Sequence, residues 1–311
     1  MSLVQYPDSD SGNEDALSAQ KPKPVLKRKR SEPSNNNLPP LPAAFHDLYS
    51  TNARVSTSDN PSLHGGRKRA VPHVEGNWPS HVYLEWVPVQ AESDSLHSLI
   101  QTIKDALKQA NLKRAKPLPV PDIIPSLQSE LGAPLPLHVS LSRTLQIKTD
   151  DRKSFLGTLN TSLRRAAVQA FHFDFCDLKW VPNYERNRWF LVLGIKKPAH
   201  DGLNRLLSAC NEAAQKCGHP ALYSGGKGDG PMGSNSPPYT KHDKTDRSDM
   251  FHVSIAWNLT EPDPDWIYLV KNMDVDKHIQ SPQAAFDVVK ARVGNVVHNF
   301  NLVARKSSVE T

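Results

Sequence analysis

The sequence predicts an α+β fold of two pseudo-symmetric lobes, whose antiparallel sheets flank a central cleft, preceded by a disordered tail. Strand-like and helical patterns interleave in two batches, and each batch contains one His-x-Ser strand, "LHVS" at 137–140 and "FHVS" at 251–254. Residues 1–72 are rich in Ser, Pro, Asn and charge, with few aromatic residues, and cannot bury enough apolar surface to offset ordering. The two-lobed domain is therefore predicted over 73–311.

The first batch of elements follows the tail. Aromatic and β-branched residues in "GNWPSHVYLEWVPV" (76–89) predict the first strand. Apolar residues at helical spacing predict a helix over 94–110. A proline-rich connector then leads to a predicted short helix near 121–131, the first histidine strand (134–144) and a helix over 150–169.

The second batch has the same composition of strands and helices. Two strand-like runs, 170–181 and 188–195, are separated by the turn-prone "PNYERN". Gly, Ser, Pro and charged residues predict a mobile loop over 224–247. The remaining predicted elements are a helix over 200–217, the second histidine strand (249–259), a helix near 281–293 and a last strand at 295–304.

Charge and composition limit the function classes. A formal net charge of +6 and a pI near 9.1 favour a polyanionic partner such as a nucleic acid. The basic clusters at 23–30 and 65–73 fit nuclear-import addresses, nucleic-acid contacts or a solvated basic linker, and import is favoured for the first. No signal-peptide layout or apolar run of about 18 residues occurs, which argues against secretion and membrane spanning. The three cysteines form no CxxC pair, which suits a reducing compartment.

The repeated His-x-Ser motif is the strongest functional signal. Side chains alternate along a strand, so His138 and Ser140 share one face, and His252 and Ser254 share the corresponding face of the second strand. The chain has 13 histidines, and these two alone are followed by a residue and then serine. A lone histidine on a strand is usually structural, but a matched pair facing one cleft indicates a catalytic site.

Two imidazoles can divide acid–base work because the unperturbed pKa of histidine lies near 6.5. One would take the proton of a ribose 2′-OH that attacks the adjacent phosphorus, and the other would protonate the departing 5′-oxygen. The product is a 2′,3′-cyclic phosphate. Serine hydroxyls two residues on can donate to non-bridging phosphate oxygens. The chain has neither HExxH nor paired-cysteine zinc spacing, so no metal or other cofactor is predicted. The sequence leaves open which histidine is the base.

The sequence resembles the two-histidine (2H) phosphoesterases, and more closely the U6 small nuclear RNA 3′-end phosphodiesterases, which are poly(U)-trimming exoribonucleases. The residues that support this likeness are "GNWPSHVYLEW", "LHVSLSRT", "FHVSIAW" and "KARVGNVVHNFNL". The resemblance covers about 72–304. It implies a nuclear 3′-5′ exonuclease acting on oligo(U), with His138 and His252 as the acid–base pair and both serines on the phosphate. It leaves open whether the cyclic phosphate is opened to a 3′-phosphate.

Weaker predictions concern RNA contacts and packing. The family uses an aromatic residue near the second motif to stack on a terminal base, which makes Tyr239 a candidate. Arg143 and Lys227 are candidate phosphate contacts, although exposed cations usually face solvent. Trp78, Tyr83 and Trp86 are predicted to pack in the core or between the lobes rather than to bind bases, and Trp257 is predicted to pack in the core.

Two other functions remain open from the sequence. A 2′,3′-cyclic nucleotide phosphodiesterase acting on other RNA ends would use the same four motif residues. A non-catalytic RNA-binding module would keep the cleft without the reaction. The protein is expected to be a monomer because a cleft between lobes of one chain needs no partner.

Overall fold

The fold comes from a computed structural model, which describes residues 74–129, 131–183, 186–224 and 245–303, together with the isolated residues 61 and 66. The predicted tail and both basic clusters lie outside these residues, apart from positions 61 and 66. The predicted mobile loop is described only at its two ends, 224 and 245–247. Predictions for the rest of these segments remain predictions.

One antiparallel sheet organises the described part of the chain. Its strands follow the order β5-β6-β7-β3-β1-β8-β9, with β2 paired to β7 and β4 paired to β1. The strands are β1 (Asn77–Trp86), β2 (Ile124–Pro125), β3 (Leu137–Ser140), β4 (Leu145–Lys148), β5 (Phe175–Pro182), β6 (Trp189–Ile195), β7 (His252–Asn258), β8 (Val288–Val293) and β9 (Val296–Asn301). The helices are α1 (Gln90–Leu112), α2 (Arg152–Ala166), α3 (Gly202–Lys216) and α4 (Pro264–Lys271).

The α+β class and the antiparallel pairing are confirmed. The two-lobed arrangement stays a prediction, since the pairing joins all the strands into one sheet. The predicted helix near 121–131 is wrong, because this segment contains the short strand β2, which pairs with β7 at Trp257 and Ala256. A two-residue strand with a proline carries too little pattern to be recognised. Strand β4 and helix α4 were not predicted.

The predicted helix near 281–293 is also wrong, because β8 forms a hairpin with β9 through Gly294 and Asn295. The signals for a hairpin are present: buried Val289, Ala291 and Val293 alternate with polar residues, and a Gly-Asn pair follows them. Gly294 has a φ of 61°, and a Cβ on it would lie 2.4 Å from Trp78 Cε3. Only glycine fits this turn without displacing the indole.

The two faces of the sheet differ in character. One face presents apolar residues of alternate positions, such as Val82, Leu84 and Trp86 on β1, to a continuous core. The buried sides of the helices complete this core with residues such as Leu99 of α1 and Leu206 of α3. The other face, called the open face below, carries the polar members of the same strands. This alternation is what brings the two motifs to one surface.

Membrane crossing finds no support in the described residues, where every helix is too short or too polar to span a bilayer.

Candidate active site

The two His-x-Ser strands are neighbours in the sheet. Val139 of β3 pairs with Val253 of β7 in antiparallel register, and both side chains point into the core. Antiparallel pairing therefore sets His138 opposite Ser254, and Ser140 opposite His252, on the open face. Side chains directly opposite each other are about 4.5–5.5 Å apart at Cβ. The four predicted polar groups thus form one compact array, related by a local two-fold axis between the two valines.

His252 is held by its own backbone. Its Nδ1 lies 2.8 Å from the carbonyl oxygen of Met250. Because a carbonyl oxygen only accepts, Nδ1 carries the proton, and the neutral ring presents the lone pair of Nε2. Burial lowers the pKa of His252 to about 4, with further lowering by Lys179 and His138 and opposing effects of the Met250 hydrogen bond and Asp177. At neutral pH this ring is a proton acceptor.

His138 has a different electrostatic setting. Burial lowers its pKa, while the carboxylate of Glu85, directly opposite on β1, acts in the other direction. Glu85 also pairs with Lys290 of β8. A carboxylate beside an imidazole favours the protonated ring. The carboxylate of Glu85 therefore stabilises the protonated form of His138.

A glycine makes room for the matching carboxylate beside His252. Gly194 of β6 is the register partner of both His252 and Asp177. A Cβ on Gly194 would lie 1.6 Å from Asp177 Oδ1, so the carboxylate occupies the space that a side chain would fill. Asp177 in turn lies 3.3 Å from Lys179 Nζ. Each histidine consequently has a carboxylate–lysine pair on its outer side.

Strand β1 adds two residues to the site that sequence reasoning missed. Tyr83 is the register partner of Ser140, and its ring lies 5.8 Å from that of His138. His81 Nε2 lies 3.2 Å from Ser140 Oγ. The prediction that Tyr83 packs in the core is wrong, because it is on the open face with His81 and Glu85. The alternation of these residues with Val82, Leu84 and Trp86 was the available signal.

Of the other aromatic residues predicted to be in the core, Trp86 is buried there. Trp78 is only partly covered and stacks with Arg152, whose guanidinium carbon is 4.4 Å from the ring centroid. Trp257 is on the open face beside Phe190, because a bulge in β7 shifts its register after Ser254. The prediction for Trp257 assumed an unbroken strand and is wrong for that reason.

The remaining predicted site residues are more distant or undescribed. Arg143 follows β3 and donates from Nε to the carbonyl oxygen of Ala221 at 3.0 Å. Part of its guanidinium thus links the segment after β3 to the segment after α3. Its contact with RNA stays a prediction. Tyr239 and Lys227 lie outside the described residues. Within the described ranges, no three His, Cys, Asp or Glu side chains cluster closely enough to hold a metal ion.

Comparisons with known proteins decide the family. The HVSL family, described as an uncharacterised conserved protein, matches residues 39–301. U6 snRNA phosphodiesterase 1 of Neurospora crassa is 33% identical over 307 residues, which cover 90% of this chain and 77% of that protein. The chain belongs to the U6 snRNA phosphodiesterase (HVSL) family.

Other members of the U6 snRNA phosphodiesterase family extend the likeness. U6 snRNA phosphodiesterase 1 of Mus musculus is 26% identical over 260 residues, covering 82% of this chain and 79% of that protein. Usb1 of Kluyveromyces marxianus has a similar fold, with a TM-score of 0.51, 16% identity, and coverage of 72% of this chain and 97% of that one. A second structure of that protein, with uridine monophosphate, gives a TM-score of 0.50. At this identity the solved structures support the fold alone.

Proposed function

We propose that the protein is a 3′-5′ RNA exonuclease that trims the oligo(U) 3′ end of U6 small nuclear RNA by acid–base catalysis without a metal. The observation that supports this most directly is the array of two histidines and two serines on the open face, with a neutral His252 and a His138 whose protonated form Glu85 favours. The names of the relatives supply the substrate. The product is an RNA ending in a 2′,3′-cyclic phosphate, or a 3′-phosphate where the ring is then opened.

The reaction needs one proton removed and one delivered. The 2′-oxygen of the penultimate ribose attacks the phosphorus, the P–O5′ bond of the terminal nucleotide breaks, and the terminal nucleoside leaves with a hydrogen on its 5′-oxygen. Ser140 and Ser254 lie between the histidines and donate to the non-bridging oxygens as charge develops. The base takes up a proton and the acid gives one away, so the pair exchanges its protonation states in each turnover.

The surroundings of the two rings assign these roles. His252 presents an unprotonated Nε2, because Met250 holds the proton on Nδ1, and it becomes the general base. Glu85 stabilises protonated His138, which becomes the general acid. A buried base of low pKa and an acid beside a carboxylate divide the work as general acid–base catalysis requires.

The proposal also covers the partner, the oligomeric state, the location in the cell and the arrangement of the lobes. RNA is the partner, and a single chain provides all four motif residues, so we expect a monomer. The basic cluster at 23–30 supports a nuclear location. The local two-fold axis and the paired carboxylates beside His138 and His252 support two pseudo-symmetric lobes, one on each side of the β3–β7 pair, with the substrate bound between them.

The proposal is tested by incubating the purified protein, in EDTA, with an internally labelled U6-like RNA that ends in oligo(U). We expect stepwise shortening from the 3′ end. A parallel incubation with 2′,3′-cyclic nucleotides tests the second enzyme function, which predicts ring opening and an RNA of unchanged length. RNA binding without any change in either substrate would favour a non-catalytic module and contradict the exonuclease.

The carboxylates beside the histidines should set the pH dependence of trimming. Replacing Glu85 with Gln removes the charge that favours protonated His138, so the pKa of His138 falls and less acid is protonated at a given pH. We expect the alkaline limb of the kcat/KM profile to move to lower pH, with a several-fold loss at pH 7.5. Initial rates from pH 3 to pH 9 measure this shift and also cover the acidic limb, which His252 sets with its pKa of about 4.

The matched variant is Asp177→Asn on the other side of the site. Asp177 favours the protonated form of His252, so its removal lowers the pKa of the base, and the acidic limb should move to lower pH. Identical shifts from both variants would contradict the assignment of roles.

A further inference from the structure

His81 occupies a place on the open face from which it touches both members of the first motif. Its Nε2 lies 3.2 Å from Ser140 Oγ, within hydrogen-bonding distance. Its ring meets that of His138 edge to face, with centroids 5.2 Å apart. On the other side the ring stacks on Tyr83, with centroids 5.3 Å apart and planes 19° apart. Two ring contacts and one polar contact leave the imidazole little freedom to rotate.

The surroundings of His81 keep it uncharged. Burial lowers the pKa of His81 to about 3, His138 on β3 and Arg292 on β8 lower it further, and a hydrogen bond with the backbone of Ser142 opposes them. A neutral imidazole still offers one donor and one acceptor nitrogen. His81 can therefore hold a hydroxyl throughout the neutral pH range, but it is a poor proton carrier there.

Among the residues that the structure describes, no side-chain hydrogen bond to Ser254 matches that of His81 to Ser140. Val192 is the register partner of Ser254, as Tyr83 is of Ser140. Phe190, two residues before Val192, occupies the neighbouring open-face position of β6, so neither residue brings a polar side chain to Ser254. The local two-fold relation that holds for the motifs and their carboxylates is thus broken at His81. A polar partner on one serine alone indicates a specific task at Ser140.

We propose that His81 is a positioning residue, whose Nε2–H donates to Ser140 Oγ and so fixes the hydroxyl, while the single hydroxyl proton of Ser140 stays available for a non-bridging oxygen of the scissile phosphate. This inference rests on the proposed phosphodiester cleavage. A serine side chain has three staggered rotamers, and a hydroxyl that is not held must lose this freedom when substrate binds. A hydroxyl already held in place contributes in the transition state without that cost.

The test is a double-mutant cycle between His81 and Ser140. His81→Phe keeps a ring against Tyr83 and His138 but removes the hydrogen bond, and His81→Gln restores a polar group near the position of Nε2. We expect Ser140→Ala to lower kcat about 10²-fold and His81→Phe about tenfold, with little change in KM. His81→Gln should recover most of the loss. The double variant should be no slower than Ser140→Ala alone, since His81 acts through that hydroxyl.

A matched control separates this role from a general packing effect. His97→Phe, on α1, makes the same change at a partly buried histidine whose Nδ1 bonds the carbonyl of Ser93. We expect His97→Phe to leave kcat unchanged and His81→Phe to keep both limbs of the pH–rate profile. Three results would each overturn the proposal. The kcat losses of the two single variants could multiply in the double variant, one limb of the pH–rate profile could disappear in His81→Phe, or His81→Gln could be as slow as His81→Phe. If His81→Phe does not fold, the Gln and Asn variants, compared with Ser140→Ala, decide the question.

The cycle also distinguishes failure of this inference from failure of the proposed function. A parent protein that leaves oligo(U) intact but opens 2′,3′-cyclic nucleotides refutes the exonuclease, and the same cycle is then run on the cyclic substrate. With a parent inactive on both, the affinity for uridine monophosphate replaces kcat as the readout. Parallel losses in His81→Phe and Ser140→Ala would support the His81–Ser140 pairing, whereas parent-like affinity of His81→Phe would overturn it.

Discussion

Replacing His138 or His252 with Ala should lower the rate of oligo(U) trimming by about 10³- to 10⁴-fold, because each variant removes one of the two proton transfers. RNA affinity should change little, since the two serines proposed to contact the phosphate remain in both variants. Single-turnover rates and binding titrations with the same labelled RNA measure the two quantities separately. Loss of affinity without loss of the single-turnover rate would place the histidines in binding rather than in proton transfer.

A modified substrate can show which of the two variants lacks the general acid. When sulfur replaces the bridging 5′-oxygen, the leaving thiolate departs without protonation. The variant that lacks the general acid should then regain most of its rate, while the variant that lacks the base should not. We expect recovery for His138→Ala, since Glu85 favours the protonated form of His138. Recovery of His252→Ala instead would reverse the roles.

Removing the nucleophile should abolish the reaction outright. An RNA with a 2′-deoxy sugar at the penultimate position lacks the oxygen that attacks phosphorus, so we expect no shortening within detection, while the all-ribose RNA is trimmed in the same tube. The measurement is the ratio of the two rates in EDTA. A 2′-deoxy substitution two nucleotides further upstream is the control, and there the first cleavage should proceed normally.

The comparison of the 2′-deoxy and all-ribose RNAs tests the mechanism of cleavage as well as the substrate. Equal shortening of the blocked and unblocked RNAs would mean that water or another nucleophile attacks phosphorus. Loss of all activity in EDTA would contradict the metal-independent reaction. Either result would remove the two-histidine chemistry from the proposal, even if the protein still trims U6 RNA.

The residues of the central array could be predicted from the sequence because their shared orientation depends on strand periodicity alone. His138 and Ser140 must share a face in any regular strand, and the same holds for His252 and Ser254. The adjacency of β3 and β7 did not follow, since pairing between segments so far apart in the chain depends on the whole sheet. The direct Val139–Val253 pair is information that only the structure provides.

The supporting residues were missed for several physical reasons. The alternation along β1 indicates that His81, Tyr83 and Glu85 share one face. The aromatic residues of the strand nevertheless favoured the prediction of a core position. The carboxylate of Asp177 occupies the space left by Gly194, the register partner of His252, a placement that no sequence pattern predicts. Trp257 changed face because of a bulge, and a single inserted residue reverses every assignment beyond it.

The two-fold relation between the motifs has a consequence for the direction of the chemistry. An RNA strand has a 5′-to-3′ direction. The array of two histidines and two serines is nearly two-fold symmetric, so by itself it does not distinguish the two directions. Ring opening of a cyclic phosphate by water is the reverse of ring closure with water in place of the 5′-oxygen, so the former acid becomes the base. A symmetric pair is competent for both half-reactions. We therefore expect the asymmetric flanks, Met250 and Glu85 among them, to decide which end is left on the RNA.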